Sequence, residues 1–218
     1  MNRPLPVLII LCTVFFSALA GTFAWAANNQ VTRTLDVDLG NVDALVIDGG
    51  VGSMDIVPVA ATTLRIEVEI EGNRTGLLRR KRDVTDIELE QHLQNGELTI
   101  ELSEDDFDDL EVHWIIEMPA VATTSLNLAV GQLIARVGAT ALDVNVGVGQ
   151  AAVTAARMDT GHIEASAGVG SATLHGVNRS DSQRAFVSEN AEGFGEGAFD
   201  MEVNVGVGEA SVFLVDET

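Results

Sequence analysis

The chain has almost no cysteine. Its one cysteine, Cys12, lies inside an apolar run near the N-terminus, between Leu11 and Thr13. A lipoprotein cysteine would follow small residues at the end of such a run, so we interpret Cys12 as an apolar filler. After residue 26 there can be neither a disulfide nor a thiolate metal site, and burial of apolar side chains must hold the fold.

Basic and aromatic residues are also scarce. All 33 acidic residues follow residue 26, where the 11 basic residues that remain without Arg3 leave a formal net charge of −22. Such a field repels nucleic acid and anionic lipid, which argues against both as partners. Tyrosine is absent, so the sequence offers few aromatic platforms for sugar rings.

Residues 1–26 have the pattern of a secretory signal peptide. Arg3 precedes an apolar run over residues 5–20, and the small-residue site Ala24-Trp25-Ala26 follows. The run is shorter than the ~20 residues of a spanning helix, which favours cleavage over a membrane anchor. No later apolar run could cross a bilayer. The sequence predicts a periplasmic or secreted protein with no transmembrane segment after signal cleavage.

Five segments share one pattern of alternating apolar residues and glycine. Aligned on the valine before the last shared glycine, they lie at Val51, Val130, Val148, Val169 and Val207. The gaps of 79, 18, 21 and 38 residues are close to multiples of one repeat length. Repeats of about 20 residues are typical of solenoids, with degenerate coils filling the longer gaps.

Each segment changes its alternation at the glycine. Leu142, Val144, Val146 and Val148 alternate on one face, and the pattern resumes at Ala151 one step out of phase. Because side chains of a strand alternate with period two, the chain must turn a corner or bulge there to keep both strands facing one interior. We therefore expect an all-β, single-stranded β-solenoid (β-helix-like) with coils of about 20 residues whose valines stack into one interior.

The domain boundaries follow from this pattern. Residues 27–218 are predicted to form a single β-solenoid domain, with longer strands in 27–120 and glycine-cornered repeats in 121–218. Residues 178–199 are polar and rich in glycine, which predicts a loop or a degenerate coil. Residues 30–39 and 213–218 are candidate caps, since uncapped ends would allow oligomers to form by end stacking.

Polar residues also recur at fixed positions. One column lies three residues before the aligned valine, where stacked coils would space its members about 4.8 Å apart. Its members are Asp48, Asn127, Asn145, Ser166 and Asn204.

Asp143, Glu164 and Glu202 form a second, acidic column. Glycoside cleavage needs two carboxyls ~5–9 Å apart, one of them with a raised pKa, and adjacent coils would meet that distance. The alternative is that these side chains are solubilising charge on the outer face.

Two charged runs lie in the N-terminal half. Arg79, Arg80, Lys81 and Arg82 form a basic cluster that fits either a solvated loop tip or a docking site for an acidic partner or a lipopolysaccharide phosphate. Residues 101–111 are acidic and invite a calcium interpretation, but a leucine and a glutamate occupy positions where a calcium loop needs a ligand and a glycine. We favour a solvated charge run.

Other chemistry finds little support. The four histidines form no H-x-x-x-H pair, no serine lies in a G-x-S-x-G elbow, and the glycine triplets precede strands rather than a helix. The sequence predicts no metal, no cofactor and no catalytic residue.

The run from Trp114 to Pro119, followed by glycine-cornered repeats behind a signal peptide, resembles the bacterial adhesin-like β-solenoid domains of unknown function. These domains occur in adhesin head regions and in toast-rack-type envelope proteins. The likeness covers roughly residues 42–215. It implies a single-stranded β-solenoid in the cell envelope or outside the cell, and it brings no catalytic residues.

The expected function is that of a non-enzymatic envelope or secreted scaffold, adhesin-like, that binds an envelope protein or a polysaccharide. The alternatives are a carbohydrate-active β-helix enzyme that uses the acidic column, and a calcium-stabilised adhesin module.

Overall fold

The computed structural model of the chain describes residues 29–73, 81–104, 106–178, 180–185 and 188–216. Within these ranges the backbone forms strands and turns without a helix, so the predicted all-β class is confirmed. None of these residues forms a helix that could span a membrane. The predicted signal peptide lies outside the described residues. The strands are β1 Gln30–Asp38, β2 Ala44–Asp48, β3 Val51–Pro58, β4 Thr63–Gly72, β5 Leu89–Gln94, β6 Glu97–Leu102, β7 Leu110–Met118, β8 Thr123–Val137, β9 Ala141–Ala156, β10 Thr160–His175, β11 Ser180–Ala185, β12 Ser188–Phe194 and β13 Phe199–Val215.

The strands form one mixed sheet that is folded along a line of glycines. The four long strands β8, β9, β10 and β13 each have one arm before this line and one arm after it. The first arms pair in the order β5-β6-β2-β8-β9-β13-β10-β12-β11, which we call the first sheet. The second arms pair in the order β1-β4-β7-β3-β8-β9-β13-β10, which we call the second sheet.

The predicted phase change at the glycine is confirmed. In β9, Val146 is buried, Gly147 and Val148 are both exposed, and burial resumes at Ala151. Neither Ala129 of β8 nor Gly147 of β9 is paired at this point, while the register of the two strands is the same on both sides of it. The inward side chains of both arms belong to one hydrophobic core.

One detail of the prediction is wrong. Val148 was expected to share the inward face with Val146, but its side chain is 47% exposed. The reason is that the strand changes face one residue earlier than the sequence alone indicates, at Gly147, so that Gly147 and Val148 both lie on the outside. The same holds for Val130, Val169 and Val207, which are 46–48% exposed. The aligned valines form a ridge outside the corner rather than part of the core.

The stacking order also differs from the prediction. The aligned valines are neighbours in the order Val51, Val130, Val148, Val207, Val169. No degenerate coil separates Val51 from Val130, and β13 enters between β9 and β10. The structure therefore does not show a solenoid whose coils stack in chain order.

The long gaps between the repeats contain further strands of the two sheets. In the N-terminal half, β4 and β7 extend the second sheet together with β1, which precedes the first repeat, and β7 pairs in parallel with β3. β5 and β6 form an antiparallel hairpin on the first sheet, where β6 pairs in parallel with β2. Asn95 and Gly96 form its turn with φ of 54° and 84°. Residues 178–199, predicted as a loop or degenerate coil, contain the hairpin β11–β12 instead.

The candidate caps take unequal places. Residues 30–38 form β1, the edge strand of the second sheet, whereas residues 213–215 end β13 in the middle of the stack. The second candidate cap is therefore wrong. The side chains that fill the core also become smaller from one end of the sheet to the other. Trp114, Met54 and Ile116 fill it beside β7, whereas alanines predominate beside β10 and β12.

Candidate functional site

The acidic column predicted from the sequence is brought together on the outer face of the first sheet. Strand pairing places Asp143 beside Glu202 and Glu202 beside Glu164. Glu192 of β12 extends the row beyond Glu164. Neighbouring strands lie about 4.8 Å apart, so four carboxylates line up at this spacing. We call Asp143, Glu202, Glu164 and Glu192 the carboxylate row.

The predicted polar column lies two residues further along the same strands. Asn127 donates to Asp48 at 2.7 Å, Asn145 donates to Asn127 at 3.2 Å, and Asn204 donates to Asn145 at 3.4 Å. The hydroxyl of Ser166 donates to Asn204 at 2.6 Å. These five residues form a continuous amide ladder across five strands.

The amide ladder supports the carboxylate row. Asn145 Nδ2 donates to Asp143 Oδ1 at 3.1 Å, and Asn204 Nδ2 donates to Glu202 Oε1 at 2.8 Å. Each of these pairs lies on one strand with a spacing of two residues, which places both side chains on the same face. The ladder therefore orients two members of the row, Asp143 and Glu202.

The electrostatics single out Asp143. Burial raises its pKa above the ordinary value of 3.8, and the negative charge of Glu202 raises it further, while the hydrogen bond from Asn145 opposes both effects. Asp143 thus takes up a proton more readily than an isolated aspartate.

A groove of about 330 Å³ runs along the row. Its lining residues are Thr123, Ala141, Leu142, Asp143, His162, Glu164, Asp200, Met201 and Glu202. None of these described residues is a phenylalanine, tryptophan or tyrosine, and His162 contributes the one ring of this lining. The groove presents carboxylates and a few apolar side chains, so its chemistry suits a cationic or hydrogen-bond-donating ligand.

Sequence reasoning missed His162, Asp200 and Glu192. His162 Nε2 lies 2.9 Å from Glu192 Oε1, and the backbone N–H of His162 donates to Asp200 Oδ1 at 3.0 Å. The pairing of β12 with β10 brings Glu192 to this place, and residues 178–199 gave no strand signal from which that pairing could be predicted.

The basic cluster and the acidic run, which are separate in the sequence, contact each other in the structure through Arg82. Arg82 donates to the backbone carbonyls of Asp106 and Asp108 at 2.7 and 2.6 Å and to the Glu104 carboxylate at 2.6 Å. Lys81 pairs with Glu71 at 2.6 Å. Arg82 is not on a solvated loop tip, since its side chain is 24% exposed. Arg79 and Arg80 lie outside the described residues.

This arrangement argues against calcium in the acidic run. A calcium ion needs six to eight oxygen ligands, and the guanidinium of Arg82 already engages three of the oxygens that this loop could offer. A cation there would have to displace a positive charge.

A serine and a histidine also meet on the second sheet. Ser53 Oγ lies 2.6 Å from His113 Nδ1, while His113 Nε2 is 3.7 Å from Asp55 Oδ2. The second distance is too long for a hydrogen bond, so the carboxylate does not orient the ring as nucleophilic catalysis requires.

Comparison with known proteins supports the fold. No family model and no curated protein matches the chain. A solved structure from Clostridium sporogenes, provisionally named a cell adhesion protein, has a TM-score of 0.50 at 15% identity and covers 86% of this chain and 100% of its own. A provisionally named adhesin from Parabacteroides distasonis has a TM-score of 0.32 at 10% identity, covering 58% of this chain and 57% of its own.

A third such structure, a provisionally named adhesin from Parabacteroides merdae, has a TM-score of 0.33 at 9% identity and covers 67% of this chain and 63% of its own. The likeness to the Clostridium sporogenes structure confirms, at the level of the fold, the resemblance that the sequence suggested.

Proposed function

We propose that the chain is a non-enzymatic, adhesin-like interaction protein of the cell envelope or the extracellular space, and that the groove along the carboxylate row binds its partner. The observation that carries this proposal is the row itself, four aligned carboxylates fixed on a rigid pleated face. The partner is an envelope protein or polysaccharide that presents positive groups to the groove.

Three features support this proposal. The amide ladder orients Asp143 and Glu202 before any partner arrives, which lowers the entropic cost of binding. The net charge of the exported chain steers cationic groups towards it. The fold is similar to that of a provisionally named cell adhesion protein.

The groove is favoured over the basic cluster as the binding surface. Lys81 and Arg82 are engaged with acidic groups of the same chain. A docking role for the cluster would rest on Arg79 and Arg80.

The test is site-specific photo-crosslinking in the native envelope. A photoreactive residue at Ala141, which lines the groove, should capture a discrete partner, whereas one at Glu69, exposed on β4, should not. Identical adducts from both positions would contradict the proposal.

A matched pair of charge variants separates the row from the overall charge. Neutralising Asp143, Glu202 and Glu164 as Asn, Gln and Gln should abolish capture from Ala141. Neutralising three exposed glutamates elsewhere, Glu69, Glu97 and Glu111, removes the same charge and should leave capture intact.

Carbohydrate hydrolysis is the second candidate, because a carboxyl with a raised pKa lies beside a second carboxylate, as such chemistry requires. In that case purified protein would release sugars from an envelope polysaccharide. Turnover would fall by several orders of magnitude in Asp143→Asn, Glu202→Gln or Glu164→Gln without loss of fold. We expect no turnover from the wild-type protein.

Export and domain organisation are part of the proposal. The signal peptide, residues 1–26, is removed, and residues 27–218 form the exported domain. N-terminal sequencing of the protein from periplasm and medium should begin at Ala27; a start at Met1 in a membrane fraction would contradict cleavage.

A further inference from the structure

We propose that the hairpin β5–β6 carries a binding site for a divalent transition metal, best matched by Zn²⁺, whose protein ligands are Glu90, His92 and Glu101. This proposal is independent of the proposed function. The hairpin is at the opposite end of the first sheet from β11 and β12.

The hairpin brings the three side chains to one face. Glu90 and His92 are two residues apart on β5, and Glu101 is directly opposite Glu90 on β6. Ile100 and Leu102, the neighbours of Glu101 along the strand, are buried, so Glu101 points away from the core. The turn at Asn95 and Gly96 fixes the register that makes this alignment.

The distances fit a tetrahedral metal. His92 Nε2 lies 3.6 Å from Glu90 Oε2 and 3.7 Å from Glu101 Oε1, and the three candidate ligand atoms all lie within 4.8 Å of one another. Zinc bonds of ~2.0–2.2 Å place tetrahedral ligand atoms about 3.3–3.6 Å apart. Exposed side chains can close the small remaining difference by rotamer adjustment.

The ligand types select the kind of metal. One imidazole and two carboxylates supply the nitrogen and oxygen donors that zinc accepts, and they leave a fourth position open to water. Calcium and magnesium prefer oxygen ligands throughout, and magnesium needs six at near-octahedral geometry. Three ligands, one of them nitrogen, favour a transition metal over both.

The neighbouring strand supports the site. Asp48 of β2 is in register with Glu101, and Asn127 of the amide ladder holds its carboxylate at 2.7 Å. A second acidic group beside the ligands strengthens the local field for a cation. The sequence gave no zinc signal, because the ligands are joined across a hairpin rather than spaced along one helix.

The competing explanation for this geometry is an ion pair of protonated His92 with the two glutamates. Such a pair needs no metal, and it gives no defined stoichiometry when zinc is added. The two explanations therefore differ in a direct titration.

The experiment is calorimetric titration of the exported chain with ZnCl₂ in a buffer that contains excess Mg²⁺. We expect one equivalent of zinc to bind, and His92→Gln and Glu101→Gln each to raise the Kd at least about tenfold. Two controls should keep the wild-type Kd: Glu97→Gln on the same hairpin, and His175→Gln, whose ring stacks on Phe213.

A second measurement guards against misfolded variants. Co²⁺ added to the wild-type protein should give the visible absorption of a tetrahedral nitrogen–oxygen site, and His92→Gln should lose it while its circular dichroism is unchanged. An unaltered zinc Kd in His92→Gln, or displacement of zinc by Mg²⁺, would overturn the proposal and leave the ion pair.

Discussion

Gly149 lies against Gly131 so closely that a Cβ atom added to Gly149 would fall 1.7 Å from the carbonyl oxygen of Gly131. The same approach recurs where Gly208 meets Gly149 and where Gly170 meets Gly208. Each of these glycines has φ between 141° and 144°. The fold line of the sheet is therefore a column in which a side chain has neither space nor a relaxed backbone.

Replacing Gly149 with Ala should destabilise the protein by at least about 3 kcal/mol, because the methyl group forces two hydrogen-bonded strands apart in a strained conformation. Urea unfolding provides the measurement. Gly138→Ala is the matched control, since nothing lies within 4 Å of the added Cβ, and it should change stability by no more than about 0.5 kcal/mol.

Alanine substitution of two valines in β9, Val146 and Val148, should reduce stability by very different amounts. Val146 is 2% exposed and Val148 is 47% exposed. Val146→Ala should cost about 2 kcal/mol through lost burial and a cavity, whereas Val148→Ala should cost less than about 1 kcal/mol. Equal losses in urea unfolding would mean that the valine ridge is buried.

Arg82→Met should destabilise the protein by about 1–3 kcal/mol, because it leaves two carbonyls and the Glu104 carboxylate without their donor. Arg65→Met is the comparison, since the Arg65 side chain is 61% exposed and its ion pair with Asp36 is solvated. That change should cost no more than about 1 kcal/mol. Thermal and urea unfolding of both variants provide the measurement. A loss of stability in Arg65→Met as large as that in Arg82→Met would contradict the prediction.

Calcium should not stabilise the wild-type protein. Arg82 engages the oxygens that the acidic run could offer, so millimolar CaCl₂ should leave the Tm unchanged. A Tm that falls by several degrees when a chelator is added would instead support a calcium-stabilised module.

Asp143→Asn should raise stability at neutral pH and lose this advantage in acid. The pKa of Asp143 is raised in the folded protein, so the folded state holds the proton more tightly than the unfolded chain. Its contribution to folding is complete below the unfolded pKa, near 3.8, and disappears as the pH rises through the folded pKa. The difference in Tm between wild type and variant, measured from pH 3 to pH 7, should therefore grow with pH.

The local pattern of the fold could be predicted from the sequence, whereas its topology could not. Alternation around Gly149 and its equivalents predicts the corner, because a strand that changes face must bend there. The shared position of Asn127, Asn145 and Asn204 predicts the amide ladder, because residues in register form columns. Both predictions depend only on the geometry of strands.

The insertion of β13 lies beyond such reasoning. Val169 and Val207 are 38 residues apart, which fits two coils in series as well as a return of the chain to the gap between β9 and β10. Around the glycine line β13 pairs in register with both β9 and β10, so local sequence does not reveal the order. Likewise, the register of the β5–β6 hairpin brings Glu101 close to His92, and the turn residues alone predict that register only weakly.

Because β13 lies between β9 and β10, the order in which the strands are synthesised differs from their order in the sheet. In an ordinary repeat array each new unit is added to the growing end, and loss of the last unit shortens the array by one. Here the strand that leaves the ribosome after all the other described strands is the one that joins β9 to β10. Until β13 is present, β9 and β10 each have an open edge. In a chain truncated before Phe199, the strands on the β9 side and those on the β10 side should no longer be hydrogen-bonded through β13. Such a chain should aggregate rather than fold as a shorter version of the protein.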